Sequence, residues 1–379
     1  MKKIYILIIA LVLTLCSCTS VNNDTIPRQT SPAVESTVTP QESTPTPSGE
    51  SVDASKVSSP TPEAPKNLDS KQWEQFFHQI EIDSPSAKNN MLEDTRKTLV
   101  FVTLPPSYFD ETEKRYPVVY YLHGFQDAPG GFSRQGRNSL RSSMMNEGAK
   151  EYLFVEVSGY NKYGGSFYVN SPVTGNWEDY FVSEVISKID ADYRTIADGA
   201  SRGICGFSMG GFGCLNLAFK HSDVFSAVYS MSPGVLTSEL DTGLKDAMRT
   251  WAGDSSFKMA YGQAFAYDLS LGDPYFIEPK FDGSDEDNKI IDAWNSGFGD
   301  WDKKIDAYLA LNKPLKAITI GYGTEDNYTW IPIGSDYLSE LLTQKGIENT
   351  LYAHSGGHSQ SGDFMSSICT EFFNKYLGY

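Results

Sequence analysis

Eight short runs of β-branched and aromatic residues punctuate this chain, and they limit its fold more than any other feature. They are "QIEI" near residue 79, "TLVFVTL" near 98, "PVVYYLHG" near 117, "YLFVEVSG" near 152, "GICGFS" near 203, "FSAVYSMSP" near 225, "KAITIGYG" near 316 and "NTLYAHS" near 349. From the third onward they are almost continuously apolar. A strand with one wet face alternates polar and apolar side chains, so an unbroken apolar strand is one covered on both faces, as parallel strands between helix layers are. Helical patterns separate the runs. "WEDYFVSEVISKIDADY" sets Trp177, Phe181, Val185 and Ile189 four apart in one stripe. "MGGFGCLNLAFKH" follows the fifth run, "GSDYLSELLTQKG" closes on Gly346 as a C-cap glycine would, and "SSICTEFFNKYL" comes last. Strands alternating with helices, after two leading strands, predict an open α/β sheet of eight mostly parallel strands with helices on both faces.

The fifth run leads into "ICGFSMGGFG", which holds Ser208 between Gly206 and Gly210. G-x-S-x-G at the end of a strand and the start of a helix is the pattern of a nucleophile elbow, a tight turn that lifts the serine above the sheet. The glycines are needed where a side chain would collide with a neighbouring element or forbid the backbone angles. The pattern alone is common; its place between a predicted strand and a predicted helix is what carries weight.

A serine hydroxyl attacks poorly until a histidine takes its proton and a carboxylate fixes that histidine's tautomer. The chain has five histidines. His78 ahead of the first strand and His221 at the end of the helix after the elbow are poorly placed, and His123 in "YLHGF" reads as a ring that holds its loop. His354 and His358 remain, in "AHSGGHS" after the last strand. His354 falls at the strand end, whereas the two glycines before His358 let a loop return its imidazole to the serine, so His358 is the expected base. The acid should follow a strand lying between serine and histidine. Asp326 in "ITIGYGTEDNYTW" is the expected residue, with Glu325 a solvated neighbour. The alternative for Asp326 is a turn acid that caps the next helix. Backbone N–H groups for a developing oxyanion are expected from Met209, which follows the serine, and from Phe125, in the loop after the third strand.

The third-strand "YPVVYYLHGF", the elbow "GFSMGGFG", "GTED" and "GGH", in that order, resemble the esterase D group of α/β-hydrolases, which includes feruloyl and acetyl-xylan esterases, S-formylglutathione hydrolases and mycolyltransferases. The resemblance runs from about residue 80 onward, and "LPPSYFDETEKRYPVVYYLHG" and "GGSFYVNSPVTGNWEDY" look like exported members of the group. It implies an α/β-hydrolase fold, a serine carboxylic-ester hydrolase working through an acyl-enzyme, and nucleophile, acid and base on Ser208, Asp326 and His358. The sequence departs from the group where Ser359-Gln360 follows His358, in place of an acid and aromatics, and in a long segment from about 236 to 312. That segment, after the sixth strand, is where hydrolases of this fold carry a cap.

The opening "MKKIYILIIALVLTLCSC" pairs two lysines with an apolar stretch too short to span a bilayer, which needs about 20 residues, and reads as an export signal. Leu15-Cys16-Ser17-Cys18 resembles a lipobox with Cys18 as the lipidated residue; the alternative is an ordinary cleaved signal. Residues 19–70 are Ser, Thr and Pro with scattered acids, too poor in apolar groups to order themselves, and are expected to form a disordered tether. The expected organisation is therefore a signal over 1–18, a tether over 19–70 and a hydrolase domain over 71–379. The expected location is a cell membrane or surface, through an N-terminal lipid. A net charge of −17 opposes nucleic-acid binding. Cys205, Cys214 and Cys369 lack paired or zinc spacing and the first two read as small buried hydrophobes; no metal or cofactor is implied.

The segment 236–312 is aromatic (Trp251, Tyr261, Phe265, Tyr267, Tyr275, Phe276, Trp294, Phe298, Trp301), and Tyr160, Tyr163, Phe167 and Tyr168 follow the fourth strand. Such rings suit a feruloyl group or sugar, or simply a core. "DGSDEDN" (282–288) lacks the calcium-loop order of ligands and reads as a solvated loop. Export speaks against a cytosolic thioester substrate and for acyl groups, feruloyl or acetyl, on polysaccharide. The same triad could pass its acyl group to a sugar acceptor. A non-catalytic binding lipoprotein is the reading from another class; it would have no need of a complete set of serine, acid, histidine and glycine turns.

Overall fold

The computed structural model describes residues 74–360 and 371–379. The signal with Cys18, the tether over 19–70, Cys369 and the first part of "SSICTEFFNKYL" lie outside the described residues. Each of the eight predicted runs forms a strand: β1 (Phe77–Ile82), β2 (Thr98–Thr103), β3 (Val118–Leu122), β4 (Leu153–Val157), β7 (Arg202–Phe207), β8 (Ala227–Met231), β9 (Ala317–Gly323) and β10 (Thr350–His354). A two-stranded hairpin, β5 (Asn170–Ser171) with β6 (Gly175–Asn176), intervenes. The eight strands form one sheet in the order β1-β2-β4-β3-β7-β8-β9-β10. Only β2 runs against its neighbours; every other adjacent pair is parallel. This is the α/β-hydrolase arrangement.

Every residue of β3, β4 and β8 is buried, as unbroken apolar runs require. Alternate residues of β3 serve two cores: Val118, Tyr120 and Leu122 on one face with the helix Met209–Lys220, Val119 and Tyr121 on the other with Phe132 and Leu140 of the helix Gly131–Ser143. The last run departs from expectation. β10 is largely exposed, as the terminal strand of the sheet among the described residues, with a strand neighbour on one side only. His78, expected ahead of the first strand, is the second residue of β1.

From β3 the chain runs outward to β4, then returns past β3 to β7. Loops leaving the carboxyl ends of β3 and β7 therefore diverge to opposite faces, and the crevice between them is where open α/β sheets hold their ligands. Phe125 sits on the first of these loops, and Ser208 and Met209 sit at the turn from β7 into the helix Met209–Lys220.

The stripe Trp177, Phe181, Val185 and Ile189 is buried as predicted. Its helix widens to a π-helical stretch over Tyr180–Val185. A strict four-residue spacing overshoots the 3.6-residue turn by about 40° a step, and a wider turn takes up the excess. The helix Gly131–Ser143 has no apolar stripe to announce it, carries two glycines, and starts from Gly130 at φ +82°.

Between β8 and β9 the segment expected as a cap folds into four helices, Leu244–Trp251, Ser255–Phe265, Asp285–Asn295 and Trp301–Ala310. Trp251, Tyr261, Trp294, Phe298 and Trp301 are buried and continuous with the core under the sheet, so most of its rings build structure. "DGSDEDN" is exposed as expected except at Asp287, but it turns into a helix from Asp285 instead of remaining a loop. Ser284 caps the helix Asp285–Asn295, and Asp287 is buried, accepting from the N–H groups of Lys280 (2.7 Å) and Asp282 (3.0 Å). Acids suit a first turn because they meet the positive end of the helix dipole. Cys205 and Cys214 are buried, as expected of small hydrophobes.

Candidate active site

β7 ends at Phe207, and Ser208 turns the chain into the helix Met209–Lys220 with φ +56° and ψ −114°, a region L-residues rarely occupy. The turn is held by the Ser208 N–H donating to the Met231 carbonyl of β8 at 2.9 Å. The flanking glycines are there because backbone meets backbone. A Cβ at position 206 would lie 2.2 Å from the Gly210 oxygen, and one at position 210 would lie 2.0 Å from the Leu122 oxygen. The helix behind Ser208 is buried from Met209 through Phe219, so the turn rests on a rigid element.

His358 reaches this serine from the loop after β10. Its Nε2 lies 2.9 Å from Ser208 Oγ and its Nδ1 lies 2.7 Å from Asp326 Oδ2. The Asp326 side chain has no exposed surface, and its other oxygen accepts the Tyr328 N–H at 2.8 Å. A carboxylate acceptor at Nδ1 places the ring proton there and leaves Nε2 to accept from the serine. The ring is walled by Phe207 and Tyr328, each with its centroid 4.9 Å away. The two loops are tied to each other: the Thr324 N–H donates to the His354 carbonyl (2.9 Å) and the Glu325 N–H to the Gly356 carbonyl (2.8 Å). Gly323 permits this approach, since a Cβ there would come within 2.3 Å of the Gly357 oxygen.

The other sequence-predicted residues fall as follows. Phe125 and Met209 both line the pocket above Ser208, and among the described residues neither backbone N–H has an acceptor. Two free N–H groups beside a serine are what an oxyanion hole needs. His123 holds the Phe125 loop. It is buried, its Nδ1 lies 2.8 Å from the Gly124 carbonyl, and its Nε2 accepts the Gly159 N–H at 2.9 Å. Burial pushes its pKa down, which favours this neutral ring. His354 stays at the end of β10, with Nδ1 3.3 Å from the Ser355 carbonyl, away from the serine. Glu325 is exposed. Gln360, at the departure from the family pattern, donates its amide to the Tyr121 hydroxyl on β3.

The pocket holds about 250 Å³. Its far wall, which sequence reasoning did not resolve, comes from Trp251, Phe257, Phe298 and Trp330, with Asp127 and Asp254 also lining it. Trp330 is locked by its Nε1–H donating to Thr250 Oγ1 (3.0 Å), and Thr329 Oγ1 donates to Asp246 (2.9 Å). These bonds bind the acid-bearing loop to the first helix of the cap. Among the described residues no cluster of His, Cys, Asp or Glu could hold a metal ion.

Comparison with known proteins gives four findings. The Esterase family model matches residues 92–368. Esterase Rv1288 of Mycobacterium tuberculosis is 28% identical over 266 residues, covering 68% of this chain and 52% of that protein, so the chain spans about half the length of this curated relative. An endo-1,4-beta-xylanase/feruloyl esterase of Xylanibacter ruminicola is 26% identical over 132 residues, 34% of this chain and 18% of that protein. Among solved structures, a ferulic acid esterase shares the fold with a TM-score of 0.56 at 20% identity, covering 79% of this chain and 98% of that one.

Proposed function

The chain belongs to the esterase family, and on that premise we propose that it hydrolyses carboxylic esters through a Ser208 acyl-enzyme, acting on feruloyl or acetyl groups carried by carbohydrate. One observation carries the mechanism: Asp326, His358 and Ser208 stand in a single hydrogen-bonded line of 2.7 and 2.9 Å at the switch point of the sheet. Ser208 Oγ attacks the ester carbonyl carbon while its proton passes to His358 Nε2. Charge gathering on the carbonyl oxygen is met by the N–H groups of Phe125 and Met209. The C–O bond to the alcohol then breaks, and the alcohol leaves with the proton held by His358. Water, deprotonated by the same nitrogen, hydrolyses the acyl-enzyme and restores Ser208.

The carbohydrate reading takes support from a relative named as a xylanase and feruloyl esterase, and from the aromatic pocket wall. We also propose export and lipid anchoring at Cys18, on the pattern of residues 1–70 alone. The test of the reaction is a panel of nitrophenyl acetate, methyl ferulate and acetylated xylan, with free acid and acyl-sugar products both quantified. Release of acid supports hydrolysis, dominant acyl-sugar supports transfer, and no turnover of any of them defeats the esterase reading. Mass spectrometry of the mature N-terminus tests the anchor: an unmodified residue other than Cys18 defeats it.

A further inference from the structure

The ionisable side chains on the pocket wall, besides His358 and Tyr328, are Asp127 and Asp254; among the described lining residues there is no lysine or arginine. The two carboxylates come from different parts of the fold. Asp127 lies in the loop after β3, two residues beyond Phe125, and Asp254 lies between the first two cap helices. Each is held by its own backbone contact: Asp127 Oδ1 accepts the Ala128 N–H at 2.8 Å, and Asp254 Oδ1 accepts the Phe257 N–H at 3.0 Å. Between their loops Phe125 and Phe257 pack edge to face, with centroids 4.8 Å apart. Lys258, one turn past Asp254, offers no compensation here, because both Glu278 oxygens engage its ammonium at 2.9 Å.

We propose that this pocket sorts esters by charge, admitting alcohol portions that are neutral or cationic and turning away anionic ones, through Asp127 and Asp254. The inference rests on the esterase reading of the pocket. Asp127 is exposed and Asp254 half-buried, so the two carboxylates repel a like charge at the pocket mouth in a way that salt screens. The aromatic wall of Trp251, Phe257 and Trp330 adds to the preference, since ring faces attract cations. The chain's net charge of −17 has the same sign at long range. Among polysaccharide esters, the favoured backbones are then neutral sugars or sugars with free amines, and uronate-bearing backbones are disfavoured.

The test uses the full chain and three acetates with one acyl group: phenyl acetate, para-carboxyphenyl acetate and meta-(trimethylammonio)phenyl acetate. The ratio of kcat/KM for the cationic ester over the anionic one is compared between wild type and Asp127→Asn/Asp254→Asn. Asparagine keeps an oxygen for each backbone N–H and remains a good helix cap, so the variant should fold. The ratio should fall by about tenfold in the variant, and the wild-type ratio should shrink toward the variant's in high salt. An equal ratio in both proteins, or one indifferent to salt, overturns the proposal. Binding of the two charged phenols, read by isothermal titration calorimetry, gives the same comparison without turnover. If no ester is cleaved yet the cationic phenol binds better, and loses that advantage in the variant, the esterase reading fails and the charge sorting stands.

Discussion

Replacing Asp326 by Asn changes one oxygen to an amide nitrogen in a site with no exposed side-chain surface. Shape is conserved, so the effect is one of hydrogen-bond polarity. Oδ1 is engaged by the Tyr328 N–H at 2.8 Å, and the asparagine oxygen will keep that bond, because an amide NH₂ there would face a donor. The NH₂ group then takes the position of Oδ2, 2.7 Å from His358 Nδ1. A donor there makes Nδ1 the acceptor and moves the ring proton to Nε2, where it faces Ser208 Oγ across 2.9 Å. The imidazole can no longer take the serine's proton. Such a tautomer reversal costs about four decades in kcat, or ~5.4 kcal/mol at 1.36 kcal/mol per decade. Stability should change little: a buried charge is lost along with its bond, and Tm should move by no more than a few degrees. Steady-state hydrolysis of nitrophenyl acetate, beside a thermal melt, measures both. A folded Asp326→Asn protein within tenfold of wild-type kcat would refute the assignment of tautomer control to Asp326.

Ser208→Ala should remove turnover by several decades while leaving Tm nearly unchanged, and a fluorophosphonate probe should label wild type alone; labelling of the variant would place the nucleophile elsewhere. His358→Ala should be as inactive, whereas His354→Ala should retain most activity, and the reverse result would show that the wrong loop histidine was chosen. Gly206→Ala must displace the turn, since its Cβ would sit 2.2 Å from the Gly210 oxygen; kcat should fall about a hundredfold, while Gly253→Ala, with nothing within 4 Å of the new Cβ, should melt and react like wild type. Burial raises the pKa of Glu178, but bonds from His221 (2.8 Å) and Lys220 outweigh it and hold the carboxyl below its ordinary 4.5. The unfolded chain therefore binds the proton first as pH falls, so the stability this group contributes above pH 4.5 is lost as pH drops through the folded-state value. Glu178→Gln should flatten the acid limb of a Tm-against-pH curve, and an unchanged limb would show the bonds to be idle.

The central strands were legible because burial on both faces leaves an unbroken apolar run, and the edge strands β1 and β10 because their β-branched and aromatic residues favour strand; both are local properties that a sequence window displays. The elbow was legible for a related reason: a Cβ at Gly206 or Gly210 would fall 2.0–2.2 Å from neighbouring backbone oxygens, so these positions admit glycine only, and that demand is written into adjacent residues. Four other features depended on distance in space. The glycines before His358 marked it as the expected base, but the loop's path, with Gly356-Gly357 folded back against Gly323, is a contact between segments more than thirty residues apart. The helix Gly131–Ser143 has no apolar stripe and exists because its Phe132 and Leu140 meet Tyr121 and Phe154 across the sheet. "DGSDEDN" is exposed except at Asp287, which is buried because the N–H groups of Lys280 and Asp282 converge on it. The pocket wall belongs to the same class. Trp251, Phe257, Trp330, Asp127 and Asp254 come from three separate segments, and no spacing along the chain relates them. Local demands on the backbone and on burial leave a mark in the sequence, whereas a cavity is made by surfaces that meet only after the chain has folded.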